Sequence, residues 1–330
     1  MLARHDNCYK IFYFLNRKAK RIVTFHNVMP AALLPGGGGK RIGLTDTEES
    51  FAMKIAEIKK HFTLSTDIFD ARTLTVTFDD GYRNEYEIVR NVAGDEFKGI
   101  IFASGRVINN NNPHDALIVD LLMHWTELIP DGMYSINHPL MVQKEFVATA
   151  ENRQWLWQNI IYPSYVADAS AKGHRIFKAI NKAYSLEMIF AKCSPEYLRQ
   201  RLTGFTLAEI KAIRKEGWIV GWHTDEHFPL SKLSREQKCH EISEAASKEM
   251  LHYVLSYPYG EMQAVDAECI EIANTAGYPC AVSNLPDPNT LTGRFFLPRF
   301  TLPDNKYLLH FELSGLKYFL KNRKLLKNYL

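Results

Sequence analysis

The sequence predicts an α/β protein in which a mainly parallel sheet is covered by helices. Short apolar segments rich in β-branched and aromatic residues, typical of buried strands, alternate with longer segments whose apolar residues recur at helical spacing. Alternation of this kind indicates parallel strands joined by crossover helices. The chain has 330 residues, and 46% of them are hydrophobic, which is enough to build a buried core and excludes a disordered protein.

Six segments are predicted as buried strands because each is short, apolar and rich in β-branched or aromatic side chains. They are residues 21–26, 73–78, 98–103, 218–222, 252–257 and 280–283.

Four segments between them have the apolar spacing of helices. They cover residues 48–62, 206–216, 234–249 and 264–276. The second begins with a capping box formed by Thr206 and Glu209, and the last is followed by Gly277, a typical helix stop.

Between about residues 107 and 203 the alternation stops, and the sequence predicts several helices without strands. The remainder, roughly 230 residues, is close to the size of a (β/α) barrel. We therefore predict an N-terminal arm (1–20), a main domain (21–303) that carries this helical insertion (107–203), and a C-terminal tail (304–330). The insertion is expected to shape a substrate cleft or a contact between subunits.

Charge and cysteine content exclude several functional classes. Forty basic and 37 acidic side chains give a net charge of +3, too small to indicate nucleic acid as the main partner. Five cysteines are scattered singly, which argues against a disulfide framework and favours a reducing compartment. They are Cys8, Cys193, Cys239, Cys269 and Cys280.

The sequence also predicts a cytoplasmic location. No apolar run approaches the roughly 18 to 20 residues that cross a bilayer, and the run 11–15 is too short for a signal peptide and is followed by basic residues. The segment 315–330 is basic and amphipathic. It is typical of a solvated terminal helix, although it could also contact an anionic membrane surface.

The segment Thr-Phe-Asp-Asp-Gly-Tyr at residues 77–82 places two acids at the end of a predicted strand. Parallel α/β folds build their active sites at such strand ends. Of two adjacent carboxylates, one commonly binds a cation while the other accepts a proton. Asp79 and Asp80 could alternatively be plain turn residues, since Asp and Gly favour turns.

A second strand pattern, residues 218–222, leads directly into His223-Thr-Asp-Glu-His227. Histidines four residues apart can present both imidazoles on one side of a helical turn, as in many metal sites. Together with Asp80 they would form a set of two histidines and one carboxylate. A structural or solvated histidine pair is the alternative, and the order of residues does not match the zincin motif.

These motifs resemble those of the polysaccharide deacetylases of carbohydrate esterase family four, which includes chitin and peptidoglycan deacetylases. Residues 77–81 match the first family motif, residues 223–227 the second, and Tyr-Pro-Tyr-Gly at 257–260 the third. Phe25 and His26 on the first strand are a weaker match. The resemblance covers roughly residues 21–300 apart from the insertion.

The resemblance implies a distorted barrel of about seven strands and a bound divalent metal, usually zinc. It implies that Asp80, His223 and His227 hold the metal, that Asp79 is the general base, and that the backbone N–H of Tyr259 stabilises the oxyanion. The implied reaction removes N-acetyl groups from an acetylated carbohydrate, either a polysaccharide precursor or an oligosaccharide.

The sequence departs from the family at two positions. Where the family often has an arginine that orients the base, this chain has Ser256, and Arg299 is a candidate substitute, although such an arginine is more commonly a surface charge. The family's catalytic acid is a late histidine in a Leu-x-His pattern, for which His310 is the candidate, although it could simply be a residue of a helix near the basic tail.

These departures keep two alternatives open. One is a hydrolase of another non-peptide C–N amide bond, because the same chemistry suits any acyl carbonyl. The other is a non-catalytic carbohydrate-binding relative. Trp125, Trp155 and Trp157 in the insertion could stack on sugar rings, although aromatic residues at helical spacing more commonly pack in a core.

Overall fold

The structure is a computed structural model. It describes residues 6–15, 20–35, 45–70, 72–168, 175–247, 250–261, 263–285 and 293–317.

The described residues form eleven strands. They are β1 (Arg21–Phe25), β2 (Asn27–Met29), β3 (Thr45–Thr47), β4 (Thr63–Leu64), β5 (Thr73–Asp80), β6 (Ile100–Ala103), β7 (Gly132–Ser135), β8 (Glu145–Ala148), β9 (Ile219–Trp222), β10 (Leu255–Ser256) and β11 (Ala281–Val282). All six predicted strands are present, as β1, β5, β6, β9, β10 and β11.

The main sheet is parallel, with the strand order β1-β5-β6-β9-β10-β11 and with β4 paired to β5. Its two edges are joined by the segment 297–300. Leu297 forms a parallel bridge to Val282 at one edge, and Phe300 forms a parallel bridge to Val23 at the other. The sheet therefore closes on itself, which confirms the predicted distorted (β/α) barrel of about seven strands.

Thirteen α-helices lie in the described part of the chain. They are α1 (Asp6–Leu15), α2 (Glu48–Lys59), α3 (Asn84–Ala93), α4 (Ile118–Leu128), α5 (Arg153–Leu156), α6 (Tyr162–Asp168), α7 (Arg175–Ala183), α8 (Leu186–Phe190), α9 (Pro195–Leu202), α10 (Leu207–Lys215), α11 (Arg235–Cys239), α12 (Ala267–Ala276) and α13 (Lys306–Leu313). A π-helical turn, His240–Glu244, continues α11.

The predicted helix ends are confirmed. The Thr206 hydroxyl accepts a hydrogen bond from the Glu209 N–H, and the Glu209 carboxylate accepts one from the Thr206 N–H, so α10 begins with the predicted capping box. Gly277 ends α12 in the left-handed region, with a φ of 94°.

Alternate residues of each barrel strand face the barrel interior. Ile22, Ile100, Phe102, Val254 and Val282 form a small interior cluster. The intervening residues of the same strands, such as Val23 and Phe25, pack in a larger cluster beneath the helices. This two-residue alternation decides which side chains at the strand ends point into the mouth of the barrel.

The insertion has a hydrophobic core of its own, and it contains the antiparallel hairpin β7–β8. The prediction of helices without strands is therefore wrong for residues 132–148. The hairpin strands are only half-buried, with exposed residues alternating with covered ones, so each segment is less apolar than a barrel strand. Trp125 is buried in this core, whereas Trp155 is 52% exposed.

Both predicted terminal segments include helices, α1 in the arm and α13 in the tail. Most of the basic part of the tail, residues 318–330, lies outside the described residues. Among the helices that are described, none has the length and apolar composition needed to cross a membrane.

Candidate active site

Asp80 ends β5 at the mouth of the barrel, and its backbone adopts a left-handed conformation that residues other than glycine rarely adopt. Its φ is 91°, and Gly81 follows with a φ of 90°. A Cβ at position 81 would lie 2.6 Å from the Cα of Ala103 on the next strand, so only glycine fits there. Backbone strain of this kind persists where the surrounding structure enforces it, typically at functional sites.

His223 and His227 follow β9, but no helical turn joins them. The chain between them is a loop in which Thr224 has a φ of 64° and His227 a φ of 61°. The predicted helical presentation of the two imidazoles is therefore wrong. The left-handed residues turn the loop back on itself, so that the ring centroids lie 4.8 Å apart.

Asp80, His223 and His227 form a buried cluster that can hold a metal ion. One potential ligand atom from each residue lies within 4.8 Å of the others. The Asp80 Oδ1 atom is 3.5 Å from His227 Nε2 and 3.9 Å from His223 Nε2. His223 Nδ1 is 2.8 Å from the Ser256 carbonyl oxygen, an arrangement that fixes the proton on Nδ1 and leaves the Nε2 lone pair available.

The charge state of this cluster fits a divalent cation. Burial lowers the pKa of His223 to about 4 and that of His227 to about 3, so both imidazoles are neutral near pH 7. Burial and the nearby carboxylates of Asp120 and Asp79 raise the pKa of Asp80 well above its usual range. A cation bound between these groups would compensate the buried negative charge, and neutral imidazole with carboxylate is a typical zinc ligand set.

Asp79, the neighbouring acid, is fully buried and is held by Arg299. The two side chains form a bidentate ion pair, with both N–O distances at 2.7 Å. Burial alone would raise the pKa of Asp79, but the charge of Arg299 and the nearby His223 hold it well below its usual range. Asp79 is therefore a carboxylate, the form that can accept a proton.

Arg299 lies in the barrel interior and has no exposed surface, so the alternative of a surface charge is wrong. Its guanidinium also donates to the Ser256 hydroxyl at 2.8 Å, to the Asn284 side chain at 2.8 Å and to the Ser283 carbonyl at 3.1 Å. Ser256 therefore occupies the position where the family often has an arginine, and it accepts a hydrogen bond from Arg299, which the closing segment 297–300 supplies.

Two buried glutamates fix the loops that carry the metal-binding candidates. The Glu85 carboxylate accepts hydrogen bonds from the N–H groups of Gly81 and Tyr82, at 3.0 to 3.1 Å. Glu241, in the π-helical turn after α11, accepts bonds from the N–H groups of Asp225 and Glu226 at 3.0 and 2.9 Å. Neither glutamate belongs to a sequence motif, so neither could be predicted as part of the site.

Tyr259 lies over the metal-binding candidates and also has left-handed backbone, with a φ of 59°. Its ring contacts that of His227 with the centroids 4.9 Å apart. Among the described residues no acceptor receives the Tyr259 backbone N–H. That donor therefore remains available to a ligand.

The insertion forms one wall of the site. Tyr165 on α6 reaches the His227 carbonyl at 3.5 Å and the Tyr259 hydroxyl at 3.3 Å. Farther in, Asp120 on α4 accepts hydrogen bonds from the Tyr82 hydroxyl and from Arg201, both at 2.7 Å.

His26 follows β1 directly and is the neighbour of Asp79 across the sheet. The strands pair Phe25 with Phe78, so His26 and Asp79 are the next residues on each strand. His26 continues the alternation by which Ile22 faces the barrel interior. Its Nδ1 atom is buried and finds no hydrogen-bond partner among the described residues, and burial lowers the pKa of this imidazole.

His310 does not lie at this site. It is on α13, where its Nδ1 is 2.9 Å from the Tyr13 hydroxyl and its Nε2 is 3.6 Å from the Glu57 carboxylate. The structure therefore does not support His310 as the acid. The dipeptide Phe25-His26 was noted in the sequence only as a weaker match to the family, and no role was predicted for His26.

No protein-family profile and no curated protein matches the chain. Solved structures do match. The Streptococcus pyogenes deacetylase PplD in complex with acetate is 12% identical, over 90% of this chain and 96% of that chain, with a TM-score of 0.49. IcaB from Ammonifex degensii is 13% identical over 91% and 97%, with a TM-score of 0.47. The chain resembles polysaccharide deacetylases. A polysaccharide deacetylase from Bacillus cereus is 14% identical over 89% of this chain and 68% of that chain, with a TM-score of 0.46.

Proposed function

We propose that this protein is a metal-dependent hydrolase that removes N-acetyl groups from an acetylated carbohydrate. The observation that supports this most directly is the juxtaposition of a buried carboxylate, Asp79, with a buried cluster of two neutral histidines and a second carboxylate. Such a site can pair a general base with a Lewis acid at one reacting carbonyl. The three sequence motifs favour the same reaction.

Asp80, His223 and His227 would hold the metal, with zinc as the best match to these ligands. A divalent cation bound there supplies Lewis acidity, which lowers the pKa of water and polarises the acetyl carbonyl. The neutral imidazoles do not have to lose a proton before they bind it.

Asp79 would take a proton from the attacking water, because it is a carboxylate in a fixed orientation. Attack on the carbonyl carbon places negative charge on the former carbonyl oxygen. The backbone N–H of Tyr259 would donate to that oxygen. Arg299 acts through Asp79 and is a positioning residue.

Burial lowers the pKa of His26, so its imidazole is neutral near pH 7 and would pass to the leaving nitrogen the proton that Asp79 takes from water. Cleavage of the C–N bond without that proton would expel a poor amide anion, so an acid is required. His26 follows the strand that pairs with the strand of the base, and one of its ring nitrogens has no partner in the part of the chain that the structure describes. Acetate and a free amino sugar are the products.

The two alternative functions are less well supported than the proposed deacetylase. The alternative of a non-catalytic relative follows from the sequence, which lacks the base-orienting arginine and a well-placed acid at the positions usual in the family. Arg299 and His26 would take those roles from other segments of the chain, which favours turnover. Hydrolysis of another amide uses the same residues, so only the substrate distinguishes it. The cytoplasmic location stays a prediction.

The test is acetate release from N-acetylated mono- and oligosaccharides by zinc-loaded protein, with Asp79→Asn as the control. We expect release that stops after chelation, returns with zinc and is lost in the variant. A metal-loaded protein that releases no acetate from any member of the panel would contradict the proposal.

A second experiment tests His26. His26→Asn should lower kcat about 100-fold on N-acetylated sugars while zinc is still bound. An activated ester such as 4-nitrophenyl acetate, whose leaving group needs no proton, should be hydrolysed nearly as fast as by the unchanged enzyme. Equal losses on both substrates would exclude His26 as the acid.

A further inference from the structure

The helices α1 and α13 contact each other although they lie at opposite ends of the described chain. The Tyr13 hydroxyl on α1 is 2.9 Å from Nδ1 of His310 on α13. Tyr13 also stacks on His61, just after α2, with the ring centroids 4.1 Å apart, and the ring of Tyr9 contacts that of His310. One face of α1 is therefore fixed to the main domain by aromatic side chains.

The opposite face of α1 is apolar and exposed. Ile11, Phe14 and Leu15 are 59%, 63% and 63% exposed. Residues three and four positions apart lie on one side of a helix with about 3.6 residues per turn. By the same geometry this side points away from the two tyrosines that hold the helix in place.

The neighbouring helix α13 also exposes apolar side chains. Tyr307 and Leu308 are each just over half exposed. Single exposed apolar residues are normal on a protein surface, but a group of large ones on two contacting helices is typical of an interaction site. We call the exposed residues 10, 11, 14 and 15 of α1 and 306–308 of α13 the α1–α13 surface.

Lysines flank these apolar side chains. Lys10 is exposed on α1, and Lys306 is the first residue of α13. The Lys60 and Lys306 ammonium groups lie 2.7 and 3.0 Å from the Glu57 carboxylate, and both lysine side chains are still 57% exposed. The α1–α13 surface therefore combines large apolar side chains with positive charge.

The charge of the whole chain is divided in the same way. Residues 1–21 and 306–330, which include both helices, hold 12 of the 40 basic side chains and 2 of the 37 acidic ones. Their net charge is therefore +10, whereas that of the remaining 284 residues is −7. The net charge of +3 is the balance of these two opposite values. An anionic partner is attracted to the segments that carry the α1–α13 surface and repelled by the rest of the chain.

We propose that the α1–α13 surface docks the protein on an anionic lipid bilayer. Phenylalanine and leucine side chains on the exposed face of a helix can enter the boundary between headgroups and acyl chains, while lysines beside them bind anionic headgroups. A second copy of this chain fits less well, because a symmetric contact would bring two positively charged surfaces together.

The docked surface would lie close to the candidate active site. The wall of a cavity of about 500 Å³ includes His26 together with Leu308 of α13 and Lys317 beyond it. Docking would therefore hold this cavity near the lipid headgroups. The proposal does not depend on the proposed function, because exposure and charge alone define the α1–α13 surface.

The first experiment tests the apolar side chains by sedimentation of the full chain with vesicles. We expect vesicles of phosphatidylcholine and phosphatidylglycerol in equal parts to bind it at least about tenfold more tightly than vesicles of phosphatidylcholine alone. Phe14→Gln combined with Leu15→Gln should weaken binding to the anionic vesicles about tenfold. Met133→Gln combined with Val147→Gln is the matched control, because both residues are exposed on the hairpin of the insertion.

The second experiment tests the charge. Lys10→Glu combined with Lys306→Glu should also weaken binding to the anionic vesicles about tenfold. Lys144→Glu combined with Lys178→Glu changes the net charge by the same amount at exposed positions of the insertion, and it should have a much smaller effect.

Equal binding of the unchanged protein to both kinds of vesicle, or binding to neither, would overturn the proposal. Variants of the α1–α13 surface that bind as tightly as their controls would overturn it too. A change of oligomeric state in light scattering, with vesicle binding unaffected, would overturn it in favour of a contact between copies. Acetate release by the same proteins reports separately on the proposed function.

Discussion

Two buried aspartate–arginine pairs lie close enough to Asp80 to influence its charge, and they are built differently. In the barrel, Asp79 and Arg299 form a bidentate pair. In the insertion, Arg201 reaches Asp120 with a single nitrogen, and its other terminal nitrogen is buried with no hydrogen-bond partner within the described segments.

The surroundings of the two pairs explain the difference. Arg299 is held by groups from several strand ends, including Ser256, Ser283 and Asn284, so its orientation is fixed on every side. The Asp120 pair instead ties two helices of the insertion to Tyr82, two residues beyond Asp80. These surroundings suit the first pair to hold the proposed base in a fixed orientation, whereas the second pair attaches the insertion to the turn that follows Asp80.

The largest expected difference between the pairs is in turnover. Asp79→Asn should lower kcat about 1,000-fold, because a neutral amide cannot take the proton from water. Asp120→Asn should lower it less than tenfold, since Asp120 does not touch the reacting atoms. Acetate release under saturating substrate measures both. Comparable losses would contradict the division of roles.

Removing each arginine should separate two roles, the orientation of Asp79 by Arg299 and the attachment of the insertion by Arg201. Arg299→Met and Arg201→Met should each lower the free energy of unfolding by about 3–5 kcal/mol, because each leaves a buried carboxylate unpaired. Only Arg299→Met should move the acid limb of the activity profile to higher pH, since the pKa of Asp79 rises when the neighbouring positive charge is lost. Urea unfolding and pH–rate profiles test this. A shift of the acid limb in Arg201→Met would argue against it.

The buried histidines predict how stability depends on pH. Burial lowers the pKa of His223 in the barrel and of His124 in the insertion to about 4, whereas a histidine in the unfolded chain titrates near 6.5. Between these pH values the unfolded chain binds more protons. The free energy of unfolding should therefore fall as pH falls from about 6.5 to 4, by up to about 1.4 kcal/mol per pH unit for each histidine.

Substitution of each histidine separates the contribution of the barrel from that of the insertion to the pH dependence of unfolding. His223→Gln and His124→Gln should each reduce the pH dependence of unfolding in chelator-treated protein. Zinc should change the pH dependence of the unchanged protein and of His124→Gln, but much less that of His223→Gln. If zinc acts equally on all three, His223 is not a ligand.

The smallest effect on stability and kcat is expected at Tyr82, where the insertion contacts the first motif. Tyr82→Phe removes the hydroxyl that donates to Asp120 and accepts from the Leu117 N–H, so it should cost about 1–2 kcal/mol of stability and reduce kcat less than tenfold. Tyr86→Phe is the control, because its hydroxyl bonds Glu216 away from the site. A Tyr82→Phe protein as stable as the control would show that this contact does not anchor the insertion.

The elements of the barrel could be predicted from sequence because their signals are local. The strand before Asp79 is a run of apolar and β-branched residues, and the helix after Thr206 begins with a capping box. The hairpin of the insertion was missed because its half-exposed strands are short and only weakly apolar.

Parts of the site could be predicted for the same reason, and parts could not. Four site residues fall in two short segments that directly follow recognisable strands. Asp79 and Asp80 are adjacent, and His223 and His227 lie within five residues of sequence. His26 and Arg299 are separated from Asp79 by 53 and 220 residues of sequence, and neither lies in a conspicuous motif. The helical presentation of the histidines was wrong because spacing alone does not report a left-handed backbone.

The sequence by itself determined the α/β alternation, the two acids and two histidines at strand ends, and the glycine that the first turn requires. These features follow from periodicity, residue chemistry and backbone sterics, all of which act over a few residues. Only the tertiary structure decided that the closing segment brings Arg299 to Asp79, that His26 and not His310 lies at the site, and that a cavity adjoins it. Those outcomes depend on how the barrel closes, because closure brings together strand ends that are distant along the chain.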